Sequence, residues 1–179
     1  MKIIKKILFA ILGLIALALV VALFMPKDYA VEREIIINQP KDSVFNYVKY
    51  LKNQDHFSVW SKIDPEMKKT FSGTDGTVGA TAGWESNNEK VGVGEQEIIK
   101  ITDGQRIDME LRFKVPFEAT DNAYFTTESI GANETKVKWG FNGKMPYPMN
   151  LMLPMMKMDE MLGKDLQNGL ENLKVVLEK

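Results

Sequence analysis

With 179 residues, no cysteine and a single histidine, the chain has no route to a disulfide framework or a thiolate metal site and little to a histidine-rich metal centre. Its length predicts one domain with at most an appendage. Three of the 23 basic residues precede a long apolar run, so the remainder is mildly acidic against 24 carboxylates, which argues against nucleic acid as a partner.

The apolar run, Ile7 to Met25, contains no charged residue. At about 1.5 Å per residue it reaches roughly 28 Å as a helix, close to the hydrocarbon thickness of a bilayer. Three readings compete: a spanning anchor, a cleaved signal peptide and a buried core helix. The anchor is preferred. The run exceeds the core of an ordinary signal peptide and no clean A-x-A site follows it. A helix apolar on every side is out of place in so small a globular core. Lys2, Lys5 and Lys6 precede the run, whereas Lys27 is offset at once by Asp28. The positive-inside rule then predicts a single-pass protein with a cytoplasmic N-terminus and the rest on the extracytoplasmic side. The expected division is an anchor over residues 1–26, its helix over about 7–25, and a folded domain over 27–179.

Pro26 ends the helix. Tyr29 to Ile37 reads as a strand with Tyr29, Val31, Arg33, Ile35 and Ile37 on one face. After the Asn38-Gln39-Pro40 turn, Val44, Phe45, Tyr47, Val48 and Leu51 follow helical spacing. Asp55 to Trp60 reads as a second short helix or an irregular turn. Six strands are then predicted, over 67–73, 79–86, 92–102, 106–114, 119–130 and 135–145, separated by turns rich in glycine and asparagine. The clearest is 106–114, where Ile107, Met109, Leu111 and Phe113 alternate with Arg106, Asp108, Glu110, Arg112 and Lys114. One face is buried and one is wet, as in an antiparallel sheet. The same alternation turns Val137, Trp139 and Phe141 inward. Leu162, Leu166, Leu170, Leu173 and Leu177 form one stripe of a long terminal helix, and Gly169 offers a point of close approach to the sheet. An antiparallel sheet of about seven strands curved around that helix satisfies every apolar stripe at once, an α+β arrangement.

Several features carry little chemistry by themselves. Gly92-Val93-Gly94 lacks the third glycine of a dinucleotide fingerprint and leads into a strand. No G-x-S-x-G elbow supports a nucleophilic serine. Asp108 and Glu110 belong to a solvated face. Arg33 and Glu97 hold more interest, because alternation groups Arg33 with Val31 and Ile35, and Glu97 with Ile99 and Ile101; either side chain then points inward, as a polar anchor for a ligand, or reaches water at a strand end. Seven of the eleven methionines fall between Met145 and Met161, interleaved with Pro146, Pro148 and Pro154. Such a stretch reads as a pliable cavity mouth, a lipid-touching surface or simply a loosely packed helix start.

At this point the chain resembles a known family. Val31-x-Arg33-x-Ile35-x-Ile37, then Pro40-x-x-x-Val44-Phe45, Phe57-x-x-Trp60-Ser61, Asp64-Pro65, Gly73-x-x-Gly76-x-x-Gly79, Trp84, Gly92-x-Gly94 and the leucine-rich terminal helix are similar to the START-like, helix-grip proteins. These form the SRPBCC superfamily of polyketide cyclase/dehydrase and lipid-transport type. The resemblance spans about residues 29–178. It implies an internal, mainly apolar cavity between sheet and long helix; the residues themselves lead to the expectation of no cofactor and no metal. It does not select among lipid carriers, metabolite binders and cyclases.

The leading expectation is a membrane-tethered domain that binds a hydrophobic small molecule or lipid. Trp84, Met109, Phe113, Phe125, Trp139, Met158 and Leu162 are the expected lining, with Arg33 as polar anchor. The alternatives are an enzyme of cyclase or hydrolase type, drawing its acid or base from His56, Glu97 or Asp64, and a ligand-free structural or interaction module at the membrane.

Overall fold

The computed structural model describes residues 2–179. Helix α1 (Lys2–Phe24) leads into strand β1 (Asp28–Ile37), helix α2 (Lys41–Val48), a 3-10 turn (Leu51–Asn53) and two single-turn helices, α3 (Gln54–Phe57) and α4 (Val59–Ile63). Strands β2 (Lys68–Ser72), β3 (Thr81–Glu85), β4 (Val93–Thr102), β5 (Arg106–Val115), β6 (Ala119–Gly131) and β7 (Glu134–Lys144) follow in succession. A 3-10 turn (Met149–Met152) and the single-turn α5 (Leu153–Met156) precede the long terminal helix α6 (Met158–Leu177).

The seven strands form one antiparallel sheet in the order β1-β7-β6-β5-β4-β3-β2. Consecutive strands from β2 to β7 pair through short turns, and β1 closes onto the last strand, so β1 and β2 are the two edges. α6 lies against the sheet with Leu166, Leu170 and Leu173 buried and Leu162 and Leu177 half-buried, the stripe read from the sequence.

The register gives the sheet two ends. Asp28 pairs with Lys144, Val93 with Val115 and with Glu85, and Lys68 with Glu85. The α1–β1 junction, the 86–92 and 116–118 loops and the 145–157 connection are therefore all at one end, called here the near end. α6 starts at this end and finishes at the far one, where Glu178 accepts from the Asn38 backbone N–H at 2.5 Å and Gln39 donates to the Leu177 carbonyl at 2.8 Å.

Alternation holds along β5 and β7 but breaks in β4. A register irregularity lies between Ile98 and Lys100. Ile98 is fully buried, Ile99 is exposed and Ile101 packs against the core. One extra residue in a bulge flips the parity of everything before it. Glu97 therefore does not share a face with Ile101. It lies on the outer face, where Arg112 donates to Glu97 (2.8 Å), Glu95 (2.9 Å) and Glu110 (2.7 Å). These three carboxylates hold the Arg112 guanidinium firmly in its charged form.

Asp121, near the start of β6, is the one buried carboxylate among the described residues. It accepts from the Lys144 backbone N–H at 3.1 Å and from the Tyr29 hydroxyl at 3.4 Å. Burial raises its pKa above the ordinary carboxylate value, and the two hydrogen bonds only partly counter it. The folded state therefore binds a proton more readily than the unfolded chain, and stability falls as pH rises from the unfolded pKa, about 4, through the folded one. Asp121→Asn is expected to raise the melting temperature at pH 7, with the gain disappearing below about pH 4. Thermal melts of both proteins at pH 3.5 and pH 7 check this; an equal shift at both pH values would show that the gain does not come from the carboxylate's charge.

Candidate functional site: a half-filled sheet

The concave face of the sheet is filled unevenly. Toward the far end, Ile37, Ile98, Ile107, Phe125 and Val137 are sealed by Val44, Phe45 and Val48 of α2 and by Leu170 and Leu173 of α6, all essentially without exposure. Toward the near end the sheet presents Ala82 and Ala123, which add little volume, and α3 and α4 cover the space without filling it. A cavity of about 310 Å³ results. This is at the lower bound of ordinary small-molecule sites.

Its walls are mainly apolar. Trp84 and Phe113 meet edge to face with centroids 5.9 Å apart, and the Trp84 indole donates to the Val91 carbonyl at 3.2 Å. Met109, Leu111, Phe141, Trp139 and Trp60 continue the wall, and Leu162 and Leu166 contribute the helix side. Trp139 stands edge-on to Trp60 and to Phe57, at 5.8 and 5.7 Å. It also stacks on Phe125 at 4.8 Å.

Two polar groupings interrupt this lining. Inside, Gln96 donates to the Gln54 Oε1 at 2.9 Å, and the Gln54 Nε2 reaches only the Met109 sulfur, at 3.6 Å. A thioether is a weak acceptor, so this amide retains donor capacity toward the cavity. At the rim, Lys69 pairs with Asp55 at 2.8 Å, and Ser61 donates to the same carboxylate oxygen at 3.2 Å. Such a site suits an apolar body with a small hydrogen-bonding group. Gln96 alternates with Gly94 and Ile98 on the inner face, but grouping Glu97 with Ile99 and Ile101 from the sequence turns it outward, and the bulge that reverses this parity leaves no signal. Gln54, Asp55 and Lys69 gave none either, as α3 is a single turn and β2 is short.

Of the expected lining residues, the structure brings together Trp84, Met109, Phe113, Trp139 and Leu162 around the cavity. Phe125 lies behind Trp139, fully buried against both it and Phe57. Met158 packs against the core at the start of α6, away from the wall. Arg33 does occupy the inner face of β1, but α6 crosses directly over it. Its guanidinium donates to both carboxylate oxygens and the carbonyl of Asp159, each at 2.9 Å. A Cβ on Gly163 would sit 2.0 Å from the Arg33 Nη2, so the absent side chain there is what admits the arginine. Arg33 thus fastens the first turn of α6 to the sheet.

The three acid–base candidates also lie off the cavity wall. His56 is exposed, with Nδ1 2.7 Å from the Tyr47 hydroxyl. Asp64 accepts from the Ser86 hydroxyl. Glu97 is on the outer face. Among the described residues, no group of three His, Asp or Glu side chains is placed to hold a metal ion.

No family model and no curated protein matches the chain. Solved structures do. Norcoclaurine synthase from Thalictrum flavum, in complex with dopamine and hydroxybenzaldehyde, superposes with a TM-score of 0.61 at 12% identity, covering 84% of this chain and 87% of that one. XoxI from Bacillus cereus gives 0.59 at 12% identity, over 84% and 96% of the two chains. The di-domain ARO/CYC StfQ of the steffimycin biosynthetic pathway gives 0.63 at 6% identity over 85% of this chain, which spans about half (51%) of that protein. At these identities the likeness is one of architecture, and by it the chain has a Bet v1-like helix-grip fold.

Proposed function

We propose that this chain is a membrane-tethered binding protein for an apolar small molecule or lipid, held in the cavity between the near half of the sheet and α6. The observation that carries the reading is the unevenness of the core. The far half is sealed by large side chains, whereas the near half leaves about 310 Å³ bounded by Trp84, Phe113, Trp139 and Leu162. An empty space of that size forfeits dispersion contacts on every wall, and an apolar occupant restores them at roughly 25 cal/mol per Å² of surface buried. Gln54 and Gln96 would orient its polar group. The norcoclaurine synthase structure, a complex with two small aromatic molecules, supports the reading by analogy of fold.

Helix α1 is long and apolar enough to cross a membrane, a property that a signal sequence shares. The folded domain contributes a specific contact to it: the buried Asn150 amide donates to the Ala22 carbonyl at 2.8 Å and to the Met25 carbonyl at 3.2 Å. These carbonyls end the helix without an intrahelical partner. A domain that caps α1 with its own side chain supports α1 as a retained part of the mature protein, and Lys2, Lys5 and Lys6 favour a cytoplasmic N-terminus.

Organic extraction of the full chain purified in lipid nanodiscs, followed by mass spectrometry, should return one apolar species in stoichiometric amount above the lipid of empty discs. An extract identical to that of empty discs, with an apo mass in native spectrometry, would sink the proposal.

A further inference from the structure

Two of the connections that meet at the near end of the sheet are apolar and exposed. In the 116–118 loop Phe117 is 77% exposed. In the connection from β7 to α6, Met149, Met152 and Met155 are 47%, 45% and 83% exposed. The twelve residues Met145 to Met156 contain no charged side chain. Large apolar side chains clustered on loops at one end of a domain mark an interaction surface.

The occupant of that surface follows from α1. Asn150 lies within this connection, and its two hydrogen bonds go to the carbonyls of Ala22 and Met25. If α1 spans a bilayer with the uncharged run Ile7–Met25 in hydrocarbon, Ala22 to Met25 lie at the boundary between acyl chains and headgroups on the domain side. A side chain bonded directly to those carbonyls lies at the same depth, and Met149 and Met152 flank it. The cavity lies toward the same end. Trp84 and Phe113 stand near the near-end termini of β3 and β5, Lys90 and Val91 belong to a near-end loop, and Leu162 is on the first turns of α6.

We infer that the near-end loops, Phe117 together with Met149 to Met155, sit in the interfacial layer of the bilayer, so that the cavity takes its ligand from the lipid phase. This rests on the tethered reading of α1 and adds depth and orientation to it. Unbranched, polarizable methionine side chains adapt to disordered acyl chains without fixed geometry, and exposed apolar side chains at this depth gain burial that they lack in water.

The chain has no cysteine, so single spin labels can be placed without background. Phe117→Cys, Met155→Cys and, at the far end, Val78→Cys would each be labelled in the full chain, reconstituted into phosphatidylcholine/phosphatidylglycerol vesicles. Collisional relaxation by oxygen and by a water-soluble nickel chelate would then be compared. Labels at 117 and 155 are expected to favour oxygen several-fold over the label at 78. If the protein floats with the vesicles after alkaline washing and all three labels show the aqueous pattern, the loops are not in the interface and the inference fails while the tether stands. If the protein does not float, the tether fails and the inference with it.

Discussion

Ala82→Phe is expected to occupy the cavity and displace its ligand while the domain keeps its fold. Ala82 is in the middle of β3, paired with Phe71 on β2 and Gln96 on β4. Its side chain is buried and faces the cavity, on the same side of the strand as Trp84. A benzyl group there enters space that no side chain holds, so it need not displace packed neighbours as overpacking in a filled core does. The added apolar surface is buried, which is worth about 1–2 kcal/mol at roughly 25 cal/mol per Å². The melting temperature should therefore hold or rise. Ligand retention should fall at least ten-fold, about 1.4 kcal/mol of binding free energy. Two measurements on one preparation decide the matter: the species extracted per mole of protein, and the thermal melt. Undiminished retention with an intact fold would place the ligand elsewhere. A markedly lowered melting temperature would show that the space is not free.

The parts of this fold that were legible in the sequence are those where one local rule operates without interruption. In β5, Ile107, Met109, Leu111 and Phe113 alternate strictly with charged residues, and the structure turns the first set inward. In α6 the leucine spacing identifies the buried stripe before any partner is known. β4 was misread at Glu97 because a bulge changes the parity of a strand without leaving a compositional mark. Arg33 shows a different limit. Alternation correctly places it on the inner face of β1, but which helix crosses above it is a tertiary fact. Asp159, 126 positions away, takes the guanidinium that a ligand was expected to meet. The family resemblance implied a cavity and Trp84 was expected to line it, but Ala82 and Ala123 carry no mark of a void in the sequence; the void arises because α3 and α4 are single turns that roof the near half without filling it.

The second large effect concerns the wall between the filled and hollow halves. Trp139 stacks on Phe125, stands edge-on to Phe57 and Trp60, and lies against Gly169 of α6. Trp139→Ala removes the largest buried ring from this cluster and merges its volume with the existing cavity. It should cost about 3–5 kcal/mol, roughly 10 °C in melting temperature for a domain of this size. Gly169 makes the contact testable by sign. A Cβ at position 169 would sit 2.6 Å from the Trp139 Cζ3, closer than packing allows. Gly169→Ala in the wild-type chain therefore sets an overpacking cost of about 1–3 kcal/mol against a helix-propensity gain of about 1 kcal/mol, a net loss. In the Trp139→Ala background the ring is gone, only the propensity gain remains, and the same substitution should stabilise by about 1 kcal/mol. Urea unfolding of the four proteins followed by circular dichroism gives the coupling energy directly. Stabilisation by Gly169→Ala in both backgrounds would mean that the helix does not approach the sheet through this glycine, and that the boundary of the cavity is drawn by other side chains.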